Sequence, residues 1–268
     1  MFIKGKMQFL EVKLLKEQRI VKIRQMLERD GEVEINELCK LFNVTDMTIR
    51  RDLDNLAEIS NIIRTHGGAM MAQGDQITEP SYDRRNLVHA ENKEKIARKA
   101  IELITPGMKL FIDSGTTTHC LARAIPGSCR NVIITNDLDV AYEVIKRDYS
   151  SAIMIGGDLR KNTHSTRGAL AEEQMKKFKV DAAFLGGNAI DMDGYVYVGS
   201  TWETGLKKCA IENASKTYIL LDSSKFNQNN LISYINASDV AGIITDDEIS
   251  EEIANKLRQR KVNLIIAS

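Results

Sequence analysis

Near the N-terminus, apolar residues recur with the 3.6-residue period of helices packed on one face. Ile20, Ile23, Met26 and Leu27 mark one helix over 19–30. Ile35, Leu38 and Leu41/Phe42 mark a second, shorter one over 35–44. A third starts at Thr45, a good N-cap, with Asp46 in its first turn and Ile49, Leu53 and Leu56 as its buried stripe. At about 100° per residue, that stripe leaves Met47, Thr48, Arg51 and Asn55 on the opposite face and Arg50 on the flank. The break between the second and third helices, at Asn43-Val44, is as short as in a helix-turn-helix. Residues 61–71, NIIRTHGGAMM, carry branched apolar residues, a Gly-Gly pair and further apolar residues, which predicts a hairpin with a tight turn. Three helices and a hairpin make a winged helix, with Arg64 and His66 on the wing.

Residues 72–82, AQGDQITEPSY, hold no periodic stripe and contain Gly74 and Pro80. Beyond an amphipathic helix over 92–104 the pattern changes. Short apolar strands at 109–113, 131–135, 151–157, 180–187, 217–222, 240–246 and 262–268 alternate with helices at 119–125, after 137 through 146, and at 168–178, 201–214 and 247–261. Strands that are nearly continuous in apolar residues predict a mostly parallel sheet covered on both faces, an α/β class. The chain is therefore expected to divide into a winged-helix domain over 16–72, a linker over 73–91 and a larger domain over 92–268. No internal repeat or low-complexity tract stands out.

Length and composition add limits. At 268 residues and 43% hydrophobic, the chain can build one large or two ordinary cores. The cysteines at 39, 120, 129 and 209 form no CxxC pair, and the lysine-bearing N-terminus has no apolar signal core. Reduced cysteines in a cytoplasmic protein are expected, with residues 1–15 extending the first helix or poorly ordered. No apolar run approaches the roughly 20 residues of a membrane span. Lys plus Arg and Asp plus Glu both number 37, so no global attraction to nucleic acid exists. Residues 1–29 hold eight basic and three acidic side chains, and residues 30–58 three basic and eight acidic. A DNA-binding face must be local: Arg50, Arg51, Arg64 and part of the first helix. Such a face reaches few phosphates, which favours a homodimer or homotetramer on repeated half-sites.

Candidate ligand chemistry sits at strand ends, where open α/β sheets bind. The cluster Asp113-Ser114-Gly115-Thr116-Thr117-Thr118 is either a simple turn and helix cap or an anion site, since hydroxyls and free N–H groups at a helix start favour phosphate. It is no Walker A loop, and no GxGxxG or GxSxG is present. Glu203 and Lys207, at i and i+4, are either a surface pair worth a few tenths of a kcal/mol or groups that hold a sugar phosphate. The four histidines show no metal-ligand spacing. No cofactor and no metal are expected.

These residues together resemble the DeoR family of bacterial transcriptional regulators, from about Arg19 to Ser268. The most specific part is TIRRDL (48–53) followed by RTHGGA (64–69). DSGTTT (113–118), TND (135–137), GGDLR (156–160), DAAFLGG (181–187), Glu203 with Lys207, and DSSKF (222–226) complete it. The resemblance implies a winged helix on operator DNA and a sensor domain like ribose-5-phosphate isomerase that binds a phosphorylated sugar. It puts Met47, Thr48, Arg50 and Arg51 on the recognition helix. It lines the effector pocket with Asp113 to Thr118, Thr135, Asn136, Glu203, Lys207 and Lys225. It implies a repressor of a sugar operon, released by effector, rather than an enzyme; residual sugar-phosphate isomerisation is the alternative. Where the family usually has a glycine before the wing, Ser60-Asn61 stands here, and Asn61 tolerates a left-handed turn.

Overall fold

The computed structural model describes residues 16–59, 62–65, 67–71, 82–146 and 151–268. The chain divides into two units, one ending at Pro80 and the other beginning at Ser81. The expectations for residues 1–15, Ser60-Asn61, His66 and most of the linker, 72–81, lie outside the described residues.

The smaller unit runs α1 (Lys16–Asp30), β1 (Glu32–Glu34), α2 (Ile35–Phe42), α3 (Asp46–Ile59), β2 (Ile62–Arg64) and β3 (Gly68–Met71). The predicted stripes form its core: Ile23, Leu27, Leu38, Ile49, Leu53 and Leu56 are fully buried. Of the Leu41/Phe42 pair, Phe42 packs inward and Leu41 faces out. Asn43 ends α2 in the left-handed region at φ 50°, a short polar side chain doing what glycine usually does there. The hairpin gains a strand that the sequence pattern had not predicted: β1 pairs antiparallel with β3, giving the order β1-β3-β2. Gly68 permits this pairing, because a Cβ there would lie 1.9 Å from the Val33 carbonyl oxygen. Between α1 and α3, Arg19 Nε donates to Asp52 Oδ2, with side chains 8% and 2% exposed.

The larger unit opens with α4 (Tyr82–Leu87), inside the stretch read as linker, and α5 (Ala90–Ile101). Tyr82 is buried, stacked on His164 and edge-on to His119. Then follow β4 (Lys109–Ile112), α6 (Thr116–Ala124), β5 (Val132–Thr135), α7 (Leu138–Ile145) and β6 (Ser151–Met154). A hairpin, β7 (Asp158–Arg160) and β8 (Ser165–Arg167), leads to α8 (Ala169–Met175) and β9 (Val180–Gly186). After β10 (Ala189–Ile190) and β11 (Tyr195–Val198) come α9 (Thr201–Glu212), β12 (Ala214–Leu220), β13 (Ile232–Asn236), β14 (Gly242–Asp246), α10 (Glu251–Gln259) and β15 (Leu264–Ala267).

Among the described residues, seven strands form one sheet in the order β15-β14-β12-β9-β4-β5-β6, every neighbouring pair parallel. Both faces are buried, which is why its strands read as unbroken apolar runs. Leu110, Ile112 and Phe184 pack with Ile96, Leu121 and Val140 on one face. Phe111, Leu185 and Ile219 pack with Met175, Leu206 and Leu257 on the other. The β7–β8 hairpin and the small β10-β11-β13 sheet were not predicted; their strands are two to five residues long, too short to show a period. Helix α6 starts at Thr116, three residues before the expected His119. Among the described residues, no helix is long and apolar enough to cross a membrane.

Candidate functional site

On α3 the outward face is the predicted one. Met47 is 61% exposed, Arg51 is exposed, and Thr48 and Arg50 are half-exposed. Thr45 caps the helix through its hydroxyl, which accepts from the Thr48 N–H at 3.3 Å and lies 2.9 Å from the Thr48 hydroxyl. The charges are less free than the sequence suggests. Arg50 is clamped by Asp46 one turn earlier, and that carboxylate holds its guanidinium pKa above the ordinary value. Arg64 does not project from the wing: Nε bonds Asp54 Oδ1 at 2.9 Å and Nη1 donates to the Gly68 carbonyl. It ties the hairpin to α3. Among the described residues Arg51 makes no ion pair, so it is the arginine of this face left for an outside anion.

In the larger unit, the chain moves one way from β4 through α6 to β5, and the other way from β9 through α9 to β12. The sheet therefore has its topological switch point between β4 and β9, where a crevice opens beyond the strand ends. Asp113, just past β4, is at that point. Its Oδ2 accepts from the Gly186 N–H of β9 at 3.0 Å and from Lys207 Nζ of α9. Lys207 also donates to the Gly186 carbonyl at 3.0 Å, as does the Tyr234 hydroxyl at 2.9 Å. Burial, with Asp113 and Glu203 nearby, pushes the Tyr234 phenol well above its usual range.

Asp113, Ser114, Asn136, Glu203 and Lys207, all expected, line one cleft here. Arg160, Ser165, Thr166, Arg167, Trp202 and Leu206 complete its lining. Glu203 and Lys207 do not pair with each other. Glu203 bonds Arg160 at 2.8 Å, and Lys207 is buried against Asp113. Gly115 sits at the N-cap of α6 at φ 151°, a region L side chains rarely adopt, and offers no side-chain cap to the helix. Its opening N–H groups suit an anion. Thr116 and Thr118 are buried and Thr117 half-buried, and the Thr118 hydroxyl donates to the Gly115 carbonyl at 2.9 Å. Thr135 is fully buried, its hydroxyl accepting from the Asp137 N–H at 3.1 Å, so it shapes the turn. Lys225, on a 3-10 turn past β12, is not part of the cleft lining.

Asp137 lies beside this site. Its Oδ1 caps α7, accepting from Asp139 and Val140 N–H at 2.8 and 2.9 Å, while Oδ2 has no hydrogen-bond partner among the described residues. Burial pushes its pKa up to about 7, against backbone N–H groups of Val140, Asp139 and Gly115 that favour the charged form.

The cleft residues that sequence reasoning did not assign are mainly on β7 and β8. Arg160 ends the quoted GGDLR; Trp202, the single tryptophan, adjoins Glu203. Both signals were present in the sequence. Arg167 gave none.

A winged helix with an outward arginine, carried on the same chain as an α/β unit with a switch-point cleft, defines a DNA-binding regulator with a ligand-sensing domain. The DeoR-like helix-turn-helix domain matches residues 19–74, and the DeoR C terminal sensor domain matches residues 88–247. The chain belongs to the DeoR family of transcriptional regulators. The glycerol-3-phosphate regulon repressor of Escherichia coli strain K12 is 35% identical over 84% of this chain and 88% of its own. The lactose phosphotransferase system repressor of Streptococcus mutans is 30% identical over 89% and 95%. A solved ribose 5-phosphate isomerase A from Methanocaldococcus jannaschii is 17% identical over 51% of this chain and 54% of that one, with a TM-score of 0.39. A likeness at that level says nothing of activity or ligand.

Proposed function

We propose that this protein represses a sugar-metabolism operon and releases its operator when a phosphorylated sugar occupies the cleft between β4 and β9. The observation that carries the reading is the cleft itself: it lies at the switch point and joins Ser114, at the threshold of an α6 N-terminus without a side-chain cap, to polar and cationic walls. The relatives' names point the same way, since they are repressors named for glycerol-3-phosphate and for a phosphotransferase system. Arg51, Met47 and Thr48 read the major groove, and Arg50 contributes after leaving Asp46.

Both carboxylates of the cleft are engaged with cations, Asp113 with Lys207 and Glu203 with Arg160. That favours holding a ligand over moving its protons. The test is operator binding by the full chain, on DNA upstream of its own and neighbouring genes, with pentose and hexose phosphates or the free sugars. Release by a phosphate, with no isomer formed on incubation, supports the reading; isomer formation supports an enzyme.

The reading includes a homodimer or homotetramer built through the larger unit. Leu138, Tyr142 and Ile145 form an exposed apolar stripe on α7, next to Ile153 of the edge strand β6. Two copies meeting there would cover it and present two winged helices to repeated half-sites. Sedimentation of the parent and of Tyr142→Glu tests this. A parent that is monomeric at micromolar concentration yet binds one half-site tightly would overturn it.

A further inference from the structure

We propose that Arg167 supplies the charge by which the cleft selects a phosphorylated sugar over the bare sugar, with Trp202 as the aromatic wall that orients it. This rests on the cleft being a sugar-phosphate site. Three cations and two carboxylates line it. Lys207 is held by Asp113, and Arg160 by Glu203. Arg167, the last residue of β8, makes no ion pair among the described residues. Asp158, its partner across the β7–β8 ladder, makes none with it either. Its guanidinium carbon lies 5.5 Å from the centre of the Trp202 ring. Pairing therefore leaves the cleft with one positive charge, and Arg167 carries it.

The chemistry suits a phosphate monoester. A guanidinium is planar, and its N–H edge meets phosphate oxygens two at a time. The opening N–H groups of α6, on the Ser114 side of the cleft, supply a second set of donors but only partial charge. Of the two lysines that the family resemblance puts in the pocket, Lys207 is paired with Asp113 and Lys225 lies outside the lining. The cleft also provides for the sugar. Asn136 is 4% exposed, and its Nδ2 donates to the Thr166 carbonyl at 3.0 Å, which fixes Oδ1 as a buried acceptor without a donor among the described residues. A sugar hydroxyl completes it. Asn136 thus answers the hydroxyls that sugar and sugar phosphate share, and Arg167 answers what only the phosphate has.

Trp202 is the chain's single tryptophan and lines this cleft, so its emission reports on the cleft. The full chain is titrated with pentose and hexose phosphates and the matching free sugars, by emission for the parent and by calorimetry for parent, Arg167→Gln and Arg167→Lys. A sugar phosphate is expected to shift parent emission and to bind Arg167→Gln about ten- to a hundredfold more weakly. The free sugar should bind both equally. Arg167→Lys, which keeps the charge and loses the fork, should fall between them. Free-sugar affinity equal to the parent's shows the cleft of both variants folded. A parent that binds a sugar phosphate, beside an Arg167→Gln variant of equal affinity, would overturn the role of Arg167 alone. A parent that answers no sugar phosphate by either readout would overturn the sugar-phosphate reading as well.

Discussion

On α3 and the wing, Arg50 is held by Asp46, Arg64 by Asp54 and Arg19 by Asp52; in the cleft, Lys207 is held by Asp113 and Arg160 by Glu203. Each region keeps one arginine out of these pairings, Arg51 in the first and Arg167 in the second. Formal charge is zero for the whole chain, and local charge is no better guide, since residues 30–58 are net acidic. What matters to an outside anion is which cation is left after the internal pairs form. The regions differ in how far apart those pairs lie in the chain. On α3 and the wing the separations are 4, 10 and 33 residues, with Arg50 and Asp46 one turn apart on a helix, whereas the cleft pairs lie 43 and 94 residues apart and join α9 to β7 and to the end of β4.

Breaking a buried internal pair should therefore damage folding, and removing an odd arginine should damage binding alone. The largest effect is expected at Asp52. Asp52→Ala takes the buried carboxylate away from Arg19 and should lower the stability of the smaller unit by up to about 3–5 kcal/mol in denaturant unfolding of the full chain. A loss under 1 kcal/mol would mean that the pair is not held in solution.

Asp137 sharpens the comparison, because it is a buried carboxyl with no cation paired to it among the described residues. Its folded pKa, about 7, lies above the unfolded value, so the folded state binds the extra proton. Its contribution to stability is complete below about pH 4, falls as pH rises towards 7, and is flat above that. Asp137→Asn, which keeps a cap acceptor for α7, should remove roughly 2–4 kcal/mol of this decline between pH 4 and 8. Parent and variant unfolding curves of parallel pH dependence would refute the shifted pKa.

Next comes Arg51→Ala, expected to weaken operator binding by roughly 1–3 kcal/mol with thermal stability almost unchanged. Unchanged operator affinity in the folded variant would take α3 out of the interface. The smallest effect is expected at Arg50. Its pair with Asp46 is solvent-exposed, so Arg50→Ala should barely move the melting temperature and should cost less operator affinity than Arg51→Ala. The reverse order would show that Arg50 exchanges Asp46 for a phosphate on DNA.

This difference in chain separation also decides how much was legible in the sequence. Ile49, Leu53 and Leu56 recur over two turns, so helix α3 and its outward face could be read directly. The parallel strands could be read because both faces are buried. Asp113, Ser114, Asn136, Glu203 and Lys207 could be named from strand-end position and family pattern together. Their partners could not, since nothing local links Lys207 to Asp113 or Glu203 to Arg160. Glu203 and Lys207 looked like a pair to each other because i, i+4 spacing permits it, yet each found a stronger partner across the cleft. Strands β1, β7 and β8 are three residues each, and no period shows over that length.

The sensing loop offers the most direct trial. At φ 151°, Gly115 tolerates no β-branched residue without strain, and a Cβ would already lie 3.3 Å from the Thr118 hydroxyl oxygen. Operator affinity is to be measured for the parent and for Gly115→Val, each alone, with a sugar phosphate and with the matching free sugar. The parent should lose operator affinity at least about tenfold with the phosphate and hardly at all with the free sugar, a coupling within the usual range. Gly115→Val should bind operator like the parent and respond to neither. Equal release by sugar and phosphate, or a Gly115→Val variant that still responds at the parent's effector concentration, would contradict a phosphate-sensing cleft at this loop.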